Sequence, residues 1–200
     1  MEGSVVLLTG FIATIWITLG VYIAGKYYPN YNHKTQFCSE LGAAGSPTEK
    51  LSPLINNYPL GILFCAFGWS IIEYTNGDLT LVLVGWLIIV HGIGTWVAGF
   101  FPMDKDPYTR TPTRNCQIHS HAGFIMLLSL LIAPLLVLFS DLALSFRVFS
   151  GASVAVACFY LYRMAKAFKQ QTNLGLYQRL SYWAKLIWLA TLSLILWSAS

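Results

Sequence analysis

Residues 79–103 read LTLVLVGWLIIVHGIGTWVAGFFPM, a run of 25 residues without one Asp, Glu, Lys or Arg. A helix needs about 20 predominantly apolar residues to cross the hydrocarbon core of a bilayer. A surface helix of a soluble domain would show a polar face within such a length, and this run has none. The same reading extends outward in both directions. Val5–Gly25, Leu51–Ile72 and Cys116–Ser140 are also free of Asp, Glu, Lys and Arg, the last carrying His119 and His121 near its start, and Leu142–Tyr162 is interrupted only by Arg147. The last uncharged run, Leu186–Ser200, has 15 residues. It is too short to span, so its helix is expected to start near Leu180, with Lys185 extending its ammonium to the interface.

Composition agrees. Hydrophobic residues make up 56% of the 200-residue chain and charged residues 10%, and the mean hydropathy is +0.60. Those values place it in the membrane class. The expected fold is an all-α, polytopic integral membrane protein, a bundle of six transmembrane helices with both termini extracytoplasmic. A single membrane domain covers 1–200, with helices at about 5–25, 52–74, 79–102, 117–140, 142–165 and 180–198. Met1–Ser4 contains no basic stretch, so the first segment reads as a permanent span and not a cleaved leader.

Orientation follows from the basic residues. Lys26, Lys34, Lys50, Lys105, Arg110, Arg114, Arg163, Lys166, Lys169, Arg179 and Lys185 fall on one side, and Arg147 alone on the other. That bias makes the first side cytoplasmic and assigns the chain to the cell inner (plasma) membrane as a multi-pass protein. The net charge of +4 is therefore a topology signal that favours anionic headgroups. Nucleic acid is not an expected partner, because no recognition module accompanies the basic residues. Cys38 and Cys116 fall on the reducing side and are expected as free thiols.

Two inner connections carry the polar chemistry. The first, residues 26–50, contains SELGAAGSP at 39–47. Here Ser39 and Glu40 are either polar groups turned toward a headgroup cavity, or an N-cap and a first-turn acid. Asn57, beside Asn56 at the start of the second helix, needs a partner so close to hydrocarbon. The second connection follows the quoted run as DKDPYTRTPTRNCQIHSHAG, residues 104–123. An antiparallel pair of helices brings Asp104 near His119, where the carboxylate would orient the ring of a general base. The alternative makes Asp104 a turn cap and His119 an interfacial residue. Tyr28, Tyr108 and Arg114 are candidate headgroup contacts, against an aromatic belt and a basic rim as the plain alternative.

No cofactor is expected. His119 and His121, two residues apart on a helix, point about 200° apart and do not share a metal. The zinc set left open is His33, His119 and Asp104. His91 lies mid-helix, with haem ligation or a bond to a neighbouring helix as its readings. Motifs for nucleotide hydrolysis, zinc proteolysis and a hydrolase elbow are absent from the sequence.

The order SELG (Ser39–Gly42), Asn57, FPxD (Phe101–Asp104) and a histidine opening the next helix (His119) resembles a prokaryotic six-helix membrane family known as domain of unknown function 998. The resemblance covers about residues 5–198. It implies the six-helix fold, a working face at these loops, and Ser39, Glu40, Asn57, Asp104 and His119 as the residues of interest. More remotely, the Ser/Asp/His set is similar to alkaline-ceramidase-like membrane hydrolases. That likeness implies a three-histidine zinc site, from which the histidine spacing here departs.

The function these readings favour is a membrane-embedded enzyme, a hydrolase or transferase acting on a lipid or polyprenyl headgroup at the cytoplasmic face. His119 would be its base, Asp104 the orienter, and Glu40 and Ser39 the headgroup contacts. The alternative is a non-catalytic lipid-binding, sensory or accessory subunit. A small-molecule transporter is third, since His91 is the one ionisable residue placed mid-membrane by this reading.

Overall fold

Helix ends fall where the sequence supplies a cap or withdraws a backbone donor. Asp78 accepts from the N–H groups of Thr80 and Leu81 at 2.8 and 3.3 Å, and Thr113 accepts from Cys116 N at 3.3 Å. Each satisfies orphan donors of a first turn. Gln171 and Asn173, both at φ 52°, close the tight turn between the last two helices. The computed structural model describes residues 5–75 and 77–200. The lead Met1–Ser4 and Asn76 of the outer turn, both part of the sequence reading, lie outside the described residues.

Between these ends run α1 (Thr9–Lys26), α2 (Tyr58–Tyr74), α3 (Leu79–Phe100), α4 (Arg114–Val137), α5 (Leu144–Gln170) and α6 (Leu174–Ser198). A 3-10 turn at Val5–Leu8 leads into α1, and a π-helical turn at Pro53–Asn57 leads into α2. No strand occurs among the described residues. Among the described residues, six helical segments are long and apolar enough to cross a membrane. Their outward faces carry exposed Ile15, Trp16, Leu19, Ile62, Trp86 and Phe124, the surface a hydrocarbon environment covers at no cost. The start of α1 and the end of α6 share one face, joined by Ser193 Oγ donating to Leu7 O. The longer connections share the other, called here the loop face.

Several boundaries differ from expectation, α5 running on to Gln170 among them, and two bear on the site. The fourth helix begins at Arg114, because Thr113 caps it. The last begins at Leu174, six residues before the expected start. Its extra turn is held by Arg179, whose guanidinium donates to His33 O at 2.5 Å, Gln36 O at 2.8 Å and Tyr31 Oη at 2.6 Å. The earlier start moves Lys185 about 16 Å along the helix from its first turn. Lys185 is 4% exposed and does not reach the interface. His91 is therefore not the one ionisable group at mid-span.

The two halves of the bundle are packed differently. Toward the chain ends, Phe64, Phe67, Val84, Leu130, Trp188 and Leu192 belong to one continuous buried cluster. Trp188 closes its indole N–H on Ser150 Oγ at 2.8 Å. The tightest crossing is α2 on α3 at Gly68 and Gly85, where a Cβ on either would collide with the other's carbonyl oxygen. Small residues at such crossings let membrane helices approach closely. Toward the loop face the bundle is hollow.

Candidate functional site

The hollow half is a cavity of about 900 Å³, within the size range of small-molecule sites. Its mouth lies among the connections, at His33, Ser39, Asp106 and Thr109, and its floor at Ile17, Leu60, His91, Tyr182, Lys185 and Leu186. Helices α4 and α5 meet near the outer turn, where Arg147 Nε donates to Leu138 O at 2.8 Å. Farther toward the loop face the cavity separates them. Ser120, Gly123 and Leu127 line one side, and Leu161 and Met164 the other. A Cβ on Gly123 would meet nothing within 4 Å.

The mouth is built from backbone ties. Ala44 N donates to Met103 O at 2.9 Å, joining the first connection to the end of α3. Cys38 N donates to Gln178 Oε1 at 2.8 Å, joining it to α6. Burial at this junction pushes the Cys38 thiol above its ordinary value and raises the Tyr31 phenol as well. Burial, with Arg179 and Lys26 nearby, holds His33 below the usual imidazole range.

The predicted residues divide sharply. Ser39 stands in the cavity wall, inside the 3-10 turn Cys38–Gly42, whose N-cap position is Phe37 and not Ser39. Glu40 does not face the cavity. Its carboxylate accepts from Phe37 N at 2.7 Å and Gln36 Nε2 at 3.0 Å, bracing its own turn at 8% exposure. Asn57 lines the wall and donates to Thr95 O at 3.0 Å. Tyr28 instead packs on Tyr31, ring centroids 5.5 Å apart, and Tyr108 on Phe168 at 5.0 Å. Arg114 is exposed at the start of α4, and these last three stand outside the wall.

The expected Asp104–His119 bond is replaced by two separate ones. Asp104 accepts from Thr113 Oγ1 at 2.6 Å and Thr113 N at 2.9 Å. Those two donors hold its carboxyl below the usual carboxylate range. The residue that caps α4 is thus itself braced by Asp104 at the start of the same connection. His119 Nδ1 lies 3.0 Å from Ala98 O and 2.9 Å from Phe101 O. In a regular helix Ala98 O would receive the N–H of residue 102. Pro102 has none, and the imidazole occupies the vacancy. Facing two carbonyls, Nδ1 carries the proton, and Nε2 is left as the acceptor.

His91 is settled by the same logic. Its Nδ1 sits 3.0 Å from Met126 O and must donate, so Nε2 accepts from Tyr182 Oη at 3.0 Å. The neutral ring is fully bonded between three helices, the neighbour-binding alternative of its two readings. His121 Nδ1 faces Gln117 O of its own helix at 2.7 Å, on the exposed side. Among the described residues no three His, Cys, Asp or Glu side chains stand close enough to hold a metal ion. The set His33, His119 and Asp104 does not converge, and the alkaline-ceramidase likeness finds no support in this arrangement.

What the sequence reading missed is the floor. Gln178, Ser181, Tyr182 and Lys185 occupy one stripe of α6 at helical spacing, and all four line the cavity. Asn56 faces them from the π-helical turn. A Cβ at Gly20 would overlap Asn56 Oδ1, which is buried there without a hydrogen-bond partner, as is Ser181 Oγ. The available signal was the i, i+3, i+4, i+7 polar stripe inside an apolar span.

No curated protein and no solved structure matches the chain significantly. A family model does, over residues 11–195, which takes in all six helices, the cavity and both long connections; the chain belongs to the membrane-protein family described as protein of unknown function (DUF998).

Proposed function

We propose that this protein binds a membrane amphiphile in the cavity, with the loop face turned to the cytoplasm. The observation that carries the reading is the cavity of about 900 Å³ that runs from a polar mouth to mid-span and separates α4 from α5. A site at this depth meets the headgroup region and the acyl region together. The separated helices give a chain a sideways route in and out. The non-catalytic reading gains over the enzymatic one because Glu40 and Asp104 are engaged with their own backbone. Lipid extracted from the protein purified in mild detergent and identified by mass spectrometry should contain one species far enriched over the membrane average. An extract matching the bulk membrane would overturn the reading.

The orientation rests on the ten basic residues at the loop face against Arg147 alone at the other. An impermeant thiol reagent should label Arg110→Cys only after cells are opened, and Asp141→Cys in intact cells. The reverse pattern inverts the assignment.

A second reading keeps catalysis on a lipid or polyprenyl headgroup. It is favoured by the fixed His119 tautomer, since two carbonyls supply the orientation that Asp104 does not. His119→Gln should then abolish turnover of the co-purified lipid while the lipid still binds.

A further inference from the structure

Lys185 is the one full charge at the cavity floor. It is 4% exposed, its Nζ lies 5.4 Å from the Tyr182 ring centroid, and no carboxylate among the described residues acts on it. The phenol of Tyr182 donates to His91, and its contact with the ammonium is through the ring. An ammonium taken from water without an opposite charge costs several kcal/mol, and ionisable residues within spans mark the groups that meet a substrate or ion. Two further observations point to an occupant. Ser181, one turn before Lys185 on the same stripe, has an unpartnered hydroxyl, and Asn56 opposite has an unpartnered amide oxygen. Both side chains are more than nine-tenths buried and both stand in the cavity wall. On the same stripe as an uncompensated cation, the Ser181 hydroxyl is a donor left over for an anion, whereas Asn56 Oδ1 is an acceptor that only a donor satisfies.

We propose that Lys185 binds the anionic oxygen group, a carboxylate or a phosphate, of a single-chain amphiphile, whose hydrocarbon leaves the cavity between α4 and α5. The inference rests on the amphiphile reading above and adds to it the charge and depth of the ligand's polar end. The ammonium supplies the opposite charge and up to three donors. The Ser181 hydroxyl supplies a neutral donor within the same wall. The uncompensated ammonium sets the depth of the charge at the floor; at the mouth the guanidinium of Arg179 is engaged by His33 O, Gln36 O, Gly175 O and Tyr31 Oη. Ser120, Gly123, Leu127, Leu161 and Met164 then flank the chain, with Gly123 leaving the gap open.

The test uses the full-length protein in lipid nanodiscs of neutral phosphatidylcholine. Three probes of equal chain length are titrated: hexadecanoate, its methyl ester, and 1-hexadecanoyl lysophosphatidate. The wild type should bind at least one acid about tenfold or more tightly than the ester, an effect the size of one charge-assisted hydrogen bond. Preference for hexadecanoate identifies a carboxylate ligand, and preference for lysophosphatidate a phosphate ligand. Lys185→Met should erase the preference while ester binding persists, and Lys185→Arg should restore most of it. Wild-type protein that binds ester and acids alike overturns the proposal without harming the amphiphile reading. Wild-type protein that binds none of the three overturns both. The wild-type comparison needs no variant to fold, and Met, of similar length and without the buried charge, keeps the packing of the site.

Discussion

The mouth and the floor of the cavity are both polar, and they use polarity in opposite ways. At the mouth, Glu40 closes on Phe37 N and Gln36, Asp104 on Thr113, and His119 on the two carbonyls at the end of α3. These side chains finish the backbone where helices stop, which is what an unsatisfied terminus requires. At the floor, far fewer polar groups are present, and Lys185, Ser181 and Asn56 have capacity left over. A crowd of charged and hydrogen-bonding residues in the sequence therefore marks the ends of helices. The chemistry still available for a ligand lies among the sparse polar residues inside the spans.

The largest effect that separates the regions is expected at Glu40. Its carboxylate holds a backbone N–H and a side-chain amide at 8% exposure, so Glu40→Ala should destabilise the protein by about 1–3 kcal/mol. Thermal unfolding in detergent reads this directly, with Glu40→Gln retaining part of the loss because an amide oxygen still reaches Phe37 N. Unchanged stability in Glu40→Ala would remove the mouth's bracing role.

Asp104 comes next. Its two bonds to Thr113 depress its carboxyl in the folded state, so the stabilisation is present above the unfolded carboxylate value, near 3.9. It is lost as pH falls through the lower folded value. Asp104→Asn should be less stable than wild type near neutrality, and the gap should close on acidification through that window. A gap that stays constant or widens with acid would show that the carboxylate charge is not what Thr113 recognises.

The smallest effect is expected at the floor. Ser181→Ala removes a buried hydroxyl that has no partner, so ligand-free stability should change by no more than about 0.5 kcal/mol, or rise. A loss as large as that of Glu40→Ala would mean the hydroxyl is bonded after all, and the contrast between the two regions would collapse.

Much of the fold was legible because a bilayer demands continuous apolarity, and runs such as Leu79–Phe100 have no other use. The start of α6 was not. Leu174–Arg179 contains Tyr177, Gln178 and Arg179, which look like connection until Arg179 is seen collecting the carbonyls of the first loop. That six-residue error also misplaced Lys185, since a lysine near a helix end extends to water and one two turns deeper does not. At the mouth, helix pairing led to the expectation that Asp104 and His119 would bond each other. Their actual partners did not follow from pairing, because the decisive fact is a missing donor. Pro102 frees a carbonyl, and the free carbonyl attracts the ring. Ser39 and Asn57 line the wall, yet polarity alone could not separate them from Glu40, which sits next to Ser39 in the chain and turns away.

The packed half has a consequence for what the occupant senses. Phe67, Trp188 and Leu192 are fully buried in the core beyond the floor, so passage onward would require opening the most densely packed part of the bundle. On the amphiphile reading, the bound molecule would exchange with one leaflet only. Its occupancy then follows the concentration of that species in that leaflet, whatever the opposite leaflet contains. On the amphiphile reading proposed above, such a cavity would act as a one-sided gauge of bilayer asymmetry.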